Sequence, residues 1–219
     1  VSTVLIILVF IFIGLKIDDE KKNVLAKILG GMSLFRWVFV QLYSVYAGTW
    51  VIESSLPLQM CSFSSLFCGI VMYYRNQIFY EFVYFMGISS ALHAFLTPEF
   101  TMSTQGYFYF DYYINHGLIA LIPLYLTFVL KFKPMRWSWL TTLMYAQILL
   151  IIAGFTNWII DANYMYLAKK PMVNNPFVIG EWPWYILGLQ FAGLLHFILL
   201  LFNLLKQIIQ SSDVSSLTT

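Results

Sequence analysis

Apolar positions run through the chain in long blocks that short polar clusters interrupt. Blocks of about 17 to 25 residues, the length a helix needs to cross a bilayer, lie near 1–16, 25–48, 56–74, 77–96, 109–131, 136–161 and 182–205. They predict an all-α polytopic membrane protein of about seven transmembrane helices. The first block is shorter than a full span, begins without methionine and lacks the basic start of a signal peptide, so its beginning is expected to be cut. No period of 20 to 50 residues recurs, which speaks against a solenoid. One membrane domain is expected over 1–207, with a polar, disordered tail over 208–219 that ends SSDVSSLTT.

Composition strengthens this picture. The chain is 60% hydrophobic and 10% charged, with a mean hydropathy of +0.77, whereas soluble domains carry about a quarter charged residues. A net charge of +2, with its basic residues scattered, excludes a nucleic-acid surface. Charge matters instead for topology, because cytoplasmic loops collect lysine and arginine. Lys16, Lys21, Lys22 and Lys27 flank the first connection, Arg75 the third, and Lys131, Lys133 and Arg136 the fifth; Lys206 follows the last block. The connections around 49–55, 97–108 and 162–181 fall on the other side, with Lys169 and Lys170 as their only basic residues. The amino end is therefore expected outside and the carboxyl end inside, in a multi-pass cell-membrane protein.

Polar residues inside the apolar blocks are the candidate chemistry. At about 1.5 Å of rise per residue, Cys61 lies roughly 8–9 Å below the outer end of its block, His116 about 10 Å and Gln190 about 12 Å. Gln41, Asn157 and Asp161 fall in the outer halves of their blocks, and His93 near an outer end. Polar groups in hydrocarbon are costly and face a bundle interior or a watery cavity, so a common layer contributed by several helices points to a site. Packing hydrogen bonds are the better account of His93 and Gln41, and Cys68 reads as a small packing residue. Cys61 and Cys68 are seven apart, about 10 Å along a helix, and so are not expected to pair with each other. Glu81 reads as an interfacial residue at an inner helix end, and Asp111 as an interfacial residue or a cap. Arg36, deep in its block, needs a carboxylate, carbonyls or water. Asp111 and Asn115 share a helical stripe, while His116 is turned from Asn115 by about 100°. A neutral imidazole is the form a general base requires.

Four segments resemble the YwaF and TMEM164 family of integral membrane proteins: LPLQMCSFSSL at 56–66, LTPEF at 96–100, NHG at 115–117, and NYMYLAKKP with EWPWYI at 163–171 and 181–186. The resemblance runs from about residue 40 to the end of the last block and is closer to the bacterial branch, which implies a bacterial plasma membrane. Human members of that family are assigned a lipid acyltransferase activity that uses a cysteine in the segment matching LPLQMC. Carried onto this chain, that cysteine is Cys61, and the membrane histidine is His116. Family members often have histidine where this chain has Gln59, and aspartate where it has Glu99. In a regular helix residues two apart point about 200° from each other, so a residue at 59 would not face Cys61 unless the helix starts irregularly near Pro57.

The implied chemistry is thioester formation at Cys61 from a membrane phospholipid, with His116 moving the proton. Pro57 suits a first helical turn, and the positive end of that helix favours thiolate at Cys61. Oxyanion donors are sought in Asn157, Gln190 or a backbone amide. Gln59, Asn115, Asp161 and Arg36 complete the substrate-binding candidates, and Lys169 and Lys170 sit where a phosphate headgroup would lie. Tyr164, Tyr166, Trp182, Trp184 and Tyr185 read as an interfacial aromatic belt. No phosphate-cradling glycine loop, HExxH, cysteine knuckle or haem motif occurs, so no nucleotide or metal cofactor is expected. A small-molecule or lipid transporter and a non-catalytic lipid-binding accessory protein are the alternatives. Acyl donor, acceptor and oligomeric state carry no sequence signature.

Overall fold

The computed structural model describes residues 2–100, 105–171 and 176–216, with side chains through Phe202. Every long element is helical: α1 (Ser2–Lys16), α2 (Asp19–Tyr46), the short α3 (Ile52–Ser55), α4 (Met60–Tyr74), α5 (Gln77–Phe82), α6 (Ile88–Leu96), α7 (Gly106–Phe128), α8 (Ser138–Ile160) and α9 (Trp184–Ser216). A wide π-helical turn, Val83–Gly87, joins α5 to α6 into one continuous rod. Each of the seven apolar blocks overlaps a helix or, over 77–96, the α5–α6 rod, and α2, α7 and α9 run past the block bounds. Four of these runs, Asp19–Tyr46, Gln77–Leu96, Ser138–Ile160 and Trp184–Phe202, are long and apolar enough to cross a membrane. Ser2–Lys16 and Met60–Tyr74 are apolar but shorter. The expected tail at 208–219 lies outside the residues whose side chains are described.

Local signals set the helix ends. The Asp18 carboxylate accepts from the Lys21 amide at 2.9 Å and caps α2, with Asp19 and Glu20 favourably placed in its first turn. Arg75 closes α4 in the left-handed conformation (φ 53°). Asn76 at once caps α5 by accepting from the Ile78 and Phe79 amides. The sequence reading placed Pro57 in the first turn of its helix; α4 instead begins at Met60 with Gln59 as its extended cap, and Pro57 lies in the approach to it. Cys61 is therefore in the first turn of α4 rather than 8–9 Å along it.

α7 is the hub. It packs against α1, α2, α4, α6 and the π turn, and from Asn115 to Pro123 its side chains are all buried. Pro123 has no N–H to give the Ile119 carbonyl. Beside that carbonyl runs Gly87, whose added Cβ would lie 3.2 Å from it. The closest crossing joins α2 to α4: a Cβ on Gly30 would come within 2.6 Å of Met72 Cβ, and one on Gly69 would collide with Leu34. This is the small-residue packing that lets membrane helices approach without a hydrophobic drive. α8 and α9 sit at the periphery, with exposed apolar faces at Ile148, Ile151, Phe155, Leu187 and Phe191.

Glu81 departs from expectation. It is buried rather than interfacial, and its Oε1 accepts from Gln77 Nε2 at 2.7 Å and from the Met135 amide at 3.1 Å. It thereby ties α5 to the connection leading into α8. Cys68 is fully buried in the main core, and both thiols are free.

Candidate functional site

A cavity of about 480 Å³ opens among α2, α4, α6, α7, α8 and α9. Its roof is the connection after α8: Met165, Tyr166 and Leu167 line it from above. Three contacts hold that roof. The Asn157 carboxamide accepts from the Tyr164 amide at 2.7 Å and donates to the Tyr164 carbonyl at 2.9 Å. Tyr164 Oη donates to the Ile52 carbonyl and accepts from the Leu56 amide at 2.9 Å. Gln59 Oε1 accepts from the Met165 amide at 2.9 Å.

The charged wall is a buried ion pair. Arg36 Nε and Nη2 donate to the two oxygens of Asp111 at 2.8 and 2.7 Å, a fork-to-fork arrangement. Arg36 Nη1 donates to Asn115 Oδ1 at 2.6 Å and reaches Ser65 Oγ at 3.4 Å, and Tyr107 Oη donates to Asp111 Oδ1 at 3.1 Å. Of the partners that suit a deep arginine, the fold supplies a carboxylate and two neutral oxygens. Asp111 is thus neither cap nor interfacial residue; the Asp111–Asn115 stripe is a receptor for Arg36.

Cys61 and His116 both line this cavity, from α4 and α7, which pack directly on each other. Ser90, whose hydroxyl donates to the Gly87 carbonyl at 3.0 Å, lines the same space. His116 Nδ1 is 2.7 Å from the Tyr112 carbonyl. A carbonyl only accepts, so Nδ1 carries the proton and Nε2 keeps its lone pair. This fixes the tautomer that can take a proton from a partner.

Six of the ten sequence candidates share the cavity: Arg36, Gln59, Cys61, Asn115, His116 and Gln190. Gln59 faces the same space as Cys61 because it is an extended cap, where the 200° argument does not hold. The other four lie outside the lining. Asn157 has both ends of its carboxamide engaged by Tyr164 and so braces the roof from outside the lining. Asp161 is the left-handed C-cap of α8 (φ 52°). Lys170 Nζ pairs with Glu181 at 2.8 Å, and the Lys169 carbonyl accepts from Asn163 Nδ2. The aromatic loop divides: Trp182 and Trp184 are exposed as a belt requires, while Tyr164 and Tyr185 are buried braces.

Several lining residues are not site candidates on sequence: Ser89 and Tyr112 carry no signal, Tyr166 reads as part of an aromatic belt, and Glu99 as a departure from the family aspartate. Ser89 is buried, and its hydroxyl has no partner among the described residues. Tyr112 donates to the Ala94 carbonyl at 3.0 Å and packs against His116 with ring centres 4.3 Å apart and planes tilted by 46°. Burial pushes the Tyr166 phenol above its ordinary range, and its hydrogen bond to Glu99 and that carboxylate's charge push the same way, so Tyr166 is a neutral donor. Glu99 had a signal, the LTPEF segment. One tyrosine among 15 and a serine in an apolar helix had none.

A family model described as the TMEM164 family matches residues 1–201. The chain belongs to the TMEM164 family. That span includes the first residue of each helix from α1 to α9 and every lining residue of the cavity. Neither curated proteins nor solved structures give a match. In this TMEM164-family chain the LPLQMC and NHG segments, far apart in sequence, deliver Cys61 and His116 to one space.

Proposed function

We propose that this TMEM164-family protein is a phospholipid acyltransferase with seven membrane-spanning helices, its amino end outside and its carboxyl end inside a cell membrane. The observation that carries the reading is the convergence of a thiol and a tautomer-fixed imidazole on one roofed cavity. α7 counts as the seventh span: it has 23 residues, and its polar side chains are turned to the interior.

The reaction runs in two balanced halves. His116 Nε2 takes the Cys61 proton, and the thiolate attacks an acyl ester carbon of a membrane phospholipid. The tetrahedral oxyanion collapses, the ester C–O bond breaks, and the leaving alkoxide takes the proton back from the imidazolium. The products are a Cys61 thioester and a lysophospholipid. An acceptor hydroxyl then gives its proton to His116 and attacks the thioester; the C–S bond breaks, and the thiolate recovers the proton. Ser89, whose hydroxyl has no partner among the described residues, is the hydroxyl donor placed to meet the oxyanion. The experiment is mass spectrometry of Cys61 after incubation with phospholipid vesicles: an acyl adduct is expected, and lipid turnover unchanged in Cys61→Ala overturns the mechanism.

Two observations favour a second reading, transport of a lipid or small molecule. The Gln77–Leu96 rod contains a wide π turn, and an ion pair is buried in the cavity wall, where transporters also carry irregular helices and buried charge. Substrate uptake into proteoliposomes without any Cys61 adduct decides for it. Retention of a lipid with neither uptake nor turnover leaves a lipid-binding accessory protein.

A further inference from the structure

The cavity has a side neighbour. Between α8 and α9 lies an open groove of about 280 Å³ lined by Leu143, Gln147, Gln190, Phe191 and Leu194. Leu143 and Gln190 also line the main cavity, so the two spaces meet at these side chains. Gln147 is two residues from residue 149, the middle of α8, about 3 Å of helix rise. The groove therefore opens at the level of lipid tails rather than headgroups. On either side Ile148, Ile151 and Leu187 present exposed apolar surface, and Phe191 is 66% exposed.

The groove's chemistry selects among occupants. It carries no charge. Its two polar side chains are joined by one hydrogen bond, Gln147 Nε2 donating to Gln190 Oε1 at 3.1 Å. A phosphate or ammonium headgroup would find no counter-charge there and would lose its hydration. A hydrocarbon chain asks for no polar partner and gains by leaving the amide pair intact.

We propose that the α8–α9 groove binds an acyl chain of a membrane lipid, the chain lying against Leu143, Phe191 and Leu194 while its ester end enters the cavity past Gln190. This rests on the reading of the cavity as a lipid site and adds where the chain lies. The Gln147–Gln190 bond spans the seam as a latch at the groove's junction with the cavity. The groove is a lateral entry, so lipid reaches Cys61 without leaving the bilayer.

The test uses the full chain in phosphatidylcholine vesicles containing a phospholipid with a diazirine at mid-chain, with photolabelled positions mapped by peptide mass spectrometry. Label several-fold enriched at the half-buried Leu143 and Leu194 and at Phe191 over the fully lipid-facing Ile148, Ile151 and Phe155 is expected. Leu194→Trp fills the groove and removes the enrichment at Leu143, with label at Ile151 unchanged. Cys61→Ala keeps the enrichment, which separates chain binding from thioester chemistry: loss of turnover with enrichment intact counts against neither the groove nor its occupant. Even labelling along α8 and α9 overturns the proposal, as do peptide-to-peptide cross-links through these residues in place of lipid adducts, which assign the seam to a second copy. If Leu194→Trp does not fold, the labelling pattern of the unaltered chain decides alone.

Discussion

Arg36 and Asp111, 75 positions apart, meet through two parallel hydrogen bonds of 2.8 and 2.7 Å on the wall of the cavity. The pair joins α2 to α7 and leaves the wall without net charge. Asn115, Ser65 and Tyr107 complete the polar shell. Such a pair contributes little net stability over apolar packing, yet removing one partner strands a charge in a medium that cannot solvate it.

Asp111→Asn or Arg36→Leu is accordingly expected to destabilise the protein by about 3–5 kcal/mol. The double variant Arg36→Leu/Asp111→Leu is expected to lose less than the sum of the two single changes. Thermal unfolding in detergent micelles, arranged as a double-mutant cycle, measures this coupling. Additive losses would show that the pair does not act as a unit.

His116→Ala is expected to slow thioester formation at Cys61 by about 10²–10⁴-fold, the usual contribution of a positioned base. Unfolding temperature should change far less than in the Arg36 or Asp111 variants. The measurement is the time course of Cys61 acylation by intact-mass spectrometry. Equal rates with and without the imidazole would take His116 out of the reaction.

Asn157→Ala removes two hydrogen bonds from the Tyr164 backbone, at an expected cost of about 1–3 kcal/mol for the groups left unpaired. The roof over the cavity should loosen as a result. Faster limited proteolysis between Tyr164 and Lys170, measured against the unaltered chain, is the expected signature. An unchanged cleavage pattern with impaired acylation would return Asn157 to a chemical role.

Gly69→Val places a branched side chain against Leu34 at the α2–α4 crossing. Overpacking of this kind costs about 1–3 kcal/mol and here also pushes apart the helices that carry Arg36 and Cys61. Lower yield of monodisperse protein in detergent is expected. Gly48→Ala meets nothing within 4 Å and tests the positive φ alone, which makes it the milder control.

Topology is open to the same directness. In a Cys61→Ala/Cys68→Ala background, Glu181→Cys is expected to react with a membrane-impermeant thiol reagent from outside, and Lys16→Cys only after permeabilisation. The reverse pattern inverts the orientation derived from the basic residues.

The apolar blocks alone determined that the chain is helical and belongs in a membrane, because a spanning helix must be continuous, about 20 residues long and free of charge on its lipid face. Short motifs determined the family and singled out Cys61 and His116. Both are properties of neighbouring residues, and one chain displays them in full. Convergence is a different matter. Arg36 with Asp111, Gln59 with the Met165 amide, and Asn157 with Tyr164 are partnerships across as many as 106 positions, made by helix packing and loop return. Asp111 looked interfacial and Asn157 looked like a cavity-facing oxyanion donor because depth along a helix says how far in a side chain lies, not which way it faces. Only the packing of α7 at the centre, permitted by Gly87 and Pro123, decided that its polar stripe turns inward and makes a cavity wall.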